Sequence, residues 1–296
     1  MIVNSVSEYI QEIKNISSKL LGDDNHDLWF RAENEFFKTK LIPSIFREKD
    51  FFGEELSKSN IYESKVITPE GCNIASKIEN TLRSKFSINN HIYNKNKYSS
   101  DSWENYYLMQ HYGIPTRLLD WSESALIALF FCVEKLNSEY NGIIWILNPY
   151  KLNELSFLDF QSLNSKHKDN LYSVHTPQRN KKKSTPNGIL TNYLDFKFDD
   201  NNNFNFPIAI TPTRFDLRMK YQKSNFTIFG NIVNGLLANP SNNDFLDKII
   251  INKDKIEEIK DELYVLGITN ESIYPGLEGV AKDVMYETRK IVKKEL

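Results

Sequence analysis

Cysteine is scarce in this chain: Cys72 and Cys132 are the only two among 296 residues. There is no CxxC pair and no Cys/His cluster at zinc spacing, so no metal site is expected. Cys132 sits in the apolar run Ala128-Leu129-Phe130-Phe131-Cys132-Val133 and reads as a buried, inert thiol. A reducing, cytoplasmic setting fits this cysteine usage. Glycine is sparse too, at 11 residues. No glycine-rich nucleotide fingerprint, Walker loop or GxSxG elbow occurs. No apolar run approaches the roughly 20 residues of a membrane span. The first residues lack the basic start and apolar stretch of a signal peptide. Charge of one sign is missing as well: the net charge is −2 and the pI about 6.3. Generic attraction to nucleic acid or an anionic membrane is therefore not indicated. Basic runs such as Lys181-Lys182-Lys183 are not interleaved with aromatics.

What remains is an ordinary globular composition, 40% hydrophobic, 26% charged and 13% aromatic. Val6, Ile10, Ile13, Ile16 and Leu20 recur at helical spacing and predict a helix over 5–21, stopped at Gly22. Leu28-Trp29-Phe30-Arg31 is a short strand. Residues 54–86 look largely helical, with a break near Pro69. Asp101 or Ser102 can cap a helix to about Tyr112. Thr116 to Trp121 is extended, Ser122 caps an apolar helix from Ala125 to Leu136, and Ile143–Leu147 is a buried strand. From about 150 to 206 periodicity dissolves, which predicts a polar surface excursion. Strands are expected at 207–211, 225–229 and 248–251. A helix over 255–266 ends at Gly267, as a C-cap glycine would end it.

Polar residues gather at three places. The first is Trp29-Phe30-Arg31-Ala32-Glu33. An Arg at the end of an apolar strand either pairs with an acid, such as Glu33, or faces a cleft where it binds an anion. The second runs from Gln110 to Ser124, where ten of fifteen side chains can hydrogen-bond between two apolar helices. Such a run needs a network to satisfy it. Arg117 paired with Asp120 would make a rigid corner. A loop feeding a helix N-terminus would instead make an anion site, with His111 able to act near neutral pH. The third is Arg218 to Thr227, whose charges read as an exposed approach to a strand.

Taken in order, these stretches resemble the FRG domain family. Its aromatic-Arg-Gly signature appears as Phe30-Arg31-Ala32, with alanine for glycine. Leu41-Ile42-Pro43-Ser44-Ile45-Phe46-Arg47 follows. The strongest match is Gln110-His111-Tyr112-Gly113-Ile114-Pro115-Thr116-Arg117-Leu118-Leu119-Asp120-Trp121, continuing to Phe131. Arg218, Gln222, Phe226 and Ile273-Tyr274-Pro275-Gly276-Leu277-Glu278-Gly279 complete it, over about 28–282. The resemblance implies a bacterial or phage conflict or defence protein, a toxin-type effector.

Three features are also similar to ADP-ribosyltransferases: an aromatic-Arg strand, a polar strand followed by an apolar helix, and a late strand preceded by Gln222. This similarity implies NAD as candidate substrate, with ADP-ribosyl transfer or NAD cleavage. In that comparison Ser224 stands where the catalytic glutamate would be. Asp120, Glu123 or Glu278 would then have to supply the carboxylate.

The expected fold is α+β: one domain over 1–296 with a split, mainly antiparallel central sheet. The expected site has His111, Asp120 and Glu123 as catalytic groups. Arg31, Glu33, Thr116, Arg117 and Gln222 would bind a nucleotide or another anionic small molecule. The alternatives are a non-catalytic module that senses a ligand or engages a protein partner, and a metal-independent nuclease using His111 with an arginine.

Overall fold

The run Gly142-Ile143-Ile144-Trp145-Ile146-Leu147 has no polar face, and a strand of that kind must be covered on both sides. It forms such a strand in the computed structural model. The structure describes residues 1–24, 26–34, 40–47, 69–93, 98–100, 102–135, 139–158, 174, 193–194 and 206–295. The strands are β1 (Ile2–Val3), β2 (Trp29–Asn34), β3 (Leu118–Ser122), β4 (Gly142–Leu147), β5 (Ile208–Ile210), β6 (Ser224–Ile228) and β7 (Leu246–Ile251). They form one seven-stranded sheet in the order β1-β7-β4-β2-β3-β6-β5. Only the β1–β7 pair is parallel. The fold is α+β.

The sheet is continuous where a split was expected, and its narrowest link is a seam. β2 pairs with β4 from Trp29↔Leu147 to Asn34↔Gly142, and β3 pairs with β6 from Leu118↔Ile228 to Ser122↔Ser224. Between these two blocks, β2 and β3 share a single register pair, Phe30↔Ser122.

Alternation along the strands sends side chains to opposite faces. Phe30, Ile144, Ile146, Ile249 and Ile251 pack under helices Val6–Leu21, Ala125–Lys135 and Ile256–Val265. Trp29, Ile143, Trp145 and Leu147 face the other side, with Ile45, Phe46 and Leu152. Helix Trp103–His111 covers the far end, where Tyr106, Tyr107 and Met109 meet Leu118, Ile210, Phe226 and Ile228. Ser102 caps that helix by accepting from Asn105 N at 3.1 Å. Cys132 is 3% exposed, and burial pushes its thiol up to about 12.

Three further expectations change. The excursion expected from about 150 begins instead as a helix, Pro149–Leu158, with Leu152 buried. Asn153 anchors it by donating to the Ala209 carbonyl at 3.0 Å and accepting from the Ala209 N–H at 2.7 Å. Most of 159–205 lies outside the described residues, but Tyr193 and Leu194 are core residues. The expected helix over 54–86 is described only from Pro69, and it runs to Asn90. Finally, a 19-residue helix, Leu277–Glu295, follows the final motif. The helix expected over 255–266 is present as Ile256–Val265 and stops before Gly267, whose φ is +78°.

Arg117 does not pair with Asp120. It is 1% exposed and pairs with Glu79, 2% exposed, through Nη2 at 3.1 Å and Nε at 3.1–3.2 Å. Nη1 donates to the Phe229 carbonyl and Nη2 to that of Tyr193. Tyr106 donates to Glu79 and accepts from the Arg117 N–H at 2.9 Å. Burial alone would lower the Arg117 pKa, but Glu79 outweighs it and the net shift is upward. Burial, then the Glu79 charge, drives the Tyr106 hydroxyl upward.

The terminal helix docks through two carboxylates. Asp283 accepts from Tyr264 Oη (2.5 Å) and from the N–H groups of Asn270 (2.9 Å) and Glu271 (2.8 Å). Asp261 accepts from Tyr286 and pairs with Lys290 at 2.7 Å. Gly279 makes the approach close: a Cβ there would lie 2.2 Å from the Tyr274 carbonyl.

Two outcomes follow. Arg117→Met leaves Glu79 buried without its cation and should lower stability by about 3–5 kcal/mol in chemical denaturation. A loss below about 1 kcal/mol would contradict the buried pairing. For Asp283 and Asp261, burial raises the pKa, but the hydrogen bonds and Lys290 outweigh it, so both are lowered in the fold. A lowered folded pKa contributes stability above the unfolded value, lost as pH falls through the folded one. Acidification below about pH 4 should therefore release helix Leu277–Glu295 to limited acid proteolysis, and Asp283→Asn should shrink that pH dependence.

Candidate functional site

At the seam, the Glu33 carboxylate is 4% exposed and needs donors to be tolerable there. It receives Arg31 Nε at 3.0 Å, Trp145 Nε1 at 3.0 Å and the Leu41 N–H at 3.2 Å. Leu41 takes a left-handed backbone, φ +54°, uncommon for a residue other than glycine. Fixed by Glu33, Arg31 crosses the seam and donates from Nη1 to the Asp120 carbonyl at 2.8 Å. A side chain thus bridges the strands where the ladder offers one register pair.

Above this bridge lies a cleft of about 280 Å³. Its lining comes from β2 (Phe30, Arg31, Ala32), helix Trp103–His111 (Tyr107, Gln110, His111), β3 (Asp120, Trp121, Ser122), helix Leu217–Tyr221 (Arg218, Met219), and the start of β6 with Gln222 ahead of it. Phe131 and Tyr274 close it. Of the residues expected at the site, Arg31, His111, Asp120 and Gln222 meet here. Glu33 and Thr116 stand behind them. Thr116 is fully buried, donates to Gln110 Oε1 at 2.5 Å and accepts from the Leu118 N–H at 3.0 Å. Gln110 in turn donates from Nε2 to Asp120 Oδ2 at 2.7 Å. Thr116 therefore aims Gln110, and Gln110 holds Asp120.

Arg117 and Glu123 do not line the cleft. Arg117 is enclosed in its pair with Glu79, which lies 38 residues upstream. Glu123 accepts from Arg214 Nη2 and Asn225 Nδ2, each at 2.8 Å. Glu278 is 77% exposed and pairs with Lys282. Of the three acids offered in place of a glutamate at Ser224, Asp120 is the one in the cleft. It is 57% exposed, with Arg31 Nη1 at 3.9 Å from its Oδ2.

Sequence reasoning missed Arg218, Tyr274, Tyr107 and Asp216. Arg218 read as an ordinary surface charge, but it lies over the Tyr274 ring at the cleft, 5.2 Å from its centroid. Tyr107 is 2% exposed and stacks on Phe226 at 5.2 Å. Burial, then the charge of Glu104, drives its hydroxyl upward. Asp216 Oδ2 stands 3.6 Å from His111 Nδ1, and its Oδ1 caps helix Leu217–Tyr221 by accepting from Met219 N at 2.7 Å. The signal available for Asp216 was its position as a helix N-cap. No group of His, Cys, Asp and Glu able to hold a metal occurs among the described residues. Nor, among them, is any helix long and apolar enough to cross a membrane.

The arrangement is a small concave site with cationic and aromatic walls, one carboxylate and several hydrogen-bonding groups. No curated protein and no solved structure matches the chain. Residues 26–141 match the family model of the FRG domain. That stretch contains β2 with Arg31, the Gln110–Asp120 run, and β3, the parts from which most of the cleft is made. By that match residues 26–141 carry an FRG domain.

Proposed function

We propose that the cleft binds a nucleotide of the NAD class and that the protein breaks its bond to nicotinamide. The observation that carries this reading is the convergence of Arg31, His111, Asp120 and Gln222 from separated segments onto one cleft at the sheet's seam. A structural role for these residues does not require them to share a concavity. The volume, about 280 Å³, lies near the lower edge of small-molecule pockets, roughly 300–1,000 Å³. It suits one nucleoside half of a dinucleotide, with the remainder extending to the rim.

Breaking the bond between ribose C1′ and the nicotinamide nitrogen leaves the electron pair on nicotinamide and positive charge on the ribose. Asp120 supplies the negative charge that such a centre needs. Water or an acceptor hydroxyl adds at C1′ and loses its proton, which His111 takes. An effector that depletes NAD or transfers ADP-ribose fits the conflict setting that the family resemblance implies.

Ser224 favours a second reading, a module that senses the nucleotide without turning it over. It lines the cleft where the enzyme comparison would place a carboxylate. One experiment separates the two. The purified chain is titrated with NAD by calorimetry while released nicotinamide is measured, in wild type and in Asp120→Asn. Asp120→Asn should bind NAD with little change and release nicotinamide about 10²–10³-fold more slowly. NAD binding without release in the wild type assigns the sensing role. Absence of NAD binding overturns both.

A further inference from the structure

The cations near the cleft are not equally available. Arg31 uses Nε on Glu33 and Nη1 on the Asp120 carbonyl. His111 faces Asp216 at 3.6 Å. Lys282 lies over the Tyr274 ring at 4.5 Å, but its ammonium is shared with Glu278 at 3.2 Å and Glu134 at 3.6 Å. Arg218 differs from all three. It lines the cleft, is exposed, and makes no ion pair among the described residues.

Its orientation is nevertheless fixed. The guanidinium lies over the face of Tyr274, the arrangement in which a cation is held by the ring's charge distribution. Tyr274 is fixed in turn. Its hydroxyl donates to Glu134 Oε2 at 2.9 Å, and Phe131 contacts its ring at 6.2 Å between centroids. The chain leaves Tyr274 through Gly276, whose φ of +131° disfavours any side chain, and returns over it at Gly279. A guanidinium held over a ring keeps N–H groups that point away from the ring, and these match the oxygens of a phosphate.

We propose that Arg218, laid on Tyr274, is the phosphate subsite of the cleft and takes the diphosphate of the nucleotide. This rests on the nucleotide reading above. Arg31 is then a positioning residue that closes the seam, and the anion-holding role expected of Arg31 and Arg117 falls to Arg218. Asp120, the carboxylate lining the cleft, is turned toward Gln110 and Arg31. A pre-oriented guanidinium loses little further freedom on binding, which favours affinity.

The test titrates the full chain with inorganic pyrophosphate and separately with NAD, in wild type, Arg218→Ala and Arg218→Lys, with thermal melting of each. A charge-assisted contact of this kind supports a loss of about tenfold or more. Arg218→Ala should weaken both ligands by that factor at unchanged melting temperature. Arg218→Lys should recover part of the loss, because it restores charge but not the planar fork. Pyrophosphate bound through Arg218 without NAD binding would keep the subsite and remove the nucleotide reading. NAD bound equally by wild type and Arg218→Ala would overturn the subsite and leave the nucleotide reading standing. No binding of either ligand to the wild type overturns both.

Discussion

The cleft depends on one buried carboxylate. Glu33, 4% exposed, is tolerable at the seam only because three donors converge on it: Arg31, the indole of Trp145 and the backbone of Leu41. Each donor comes from a different part of the chain, so Glu33 ties β2 to β4 and to the Leu41–Arg47 segment at once. It also fixes where Arg31 points. With β2 and β3 meeting at one register pair, Arg31 supplies the cross-strand bond to Asp120 that the backbone does not. A sheet that opens along such a seam exposes polar groups in its interior, and those groups are the cleft.

The family motif divides into parts that build and parts that face the cleft. Thr116 and Arg117 are buried, one steering Gln110 and the other neutralising Glu79. Ser44 accepts from the Thr116 N–H at 3.2 Å, and the Ile45 N–H reaches the Thr116 carbonyl, so the Leu41–Arg47 segment braces the same corner. Gln110, His111 and Asp120 are left at the surface of this scaffold. The final glycines act in the same spirit, since Gly276 and Gly279 shape the turn that presents Tyr274. Ala32 lines the cleft where the family signature has glycine, so a methyl group stands at that wall.

Much of this was legible in the sequence for a physical reason. A polar residue inside an apolar run is costly, so Arg31, His111 and Asp120 stood out and their convergence is what that cost demands. The strands and the helix caps at Ser102 and Gly267 were legible because alternation, capping oxygens and left-handed backbone leave local marks. Partnership leaves none. Arg117 looked like a ligand contact because its partner lies 38 residues away on another helix. Arg218 looked like ordinary surface because it is exposed, and only the return of the C-terminal motif puts an aromatic ring beneath it. Helix Leu277–Glu295 was missed although Leu277, Val280, Val284 and Ile291 recur at helical spacing; that stripe stays exposed, and the helix docks by polar anchors instead.

The proposal places nucleotide binding at the seam cleft. Amide hydrogen exchange of the full chain, with and without saturating NAD, tests it most directly. The account predicts slower exchange confined to the segments that line the cleft, around residues 30–32, 107–111, 118–122, 131, 217–226 and 274. Slowing instead around Lys19–Gly22 and Asn148–Lys151, which border the second concavity beside the stacked His26 and Tyr150, would contradict it.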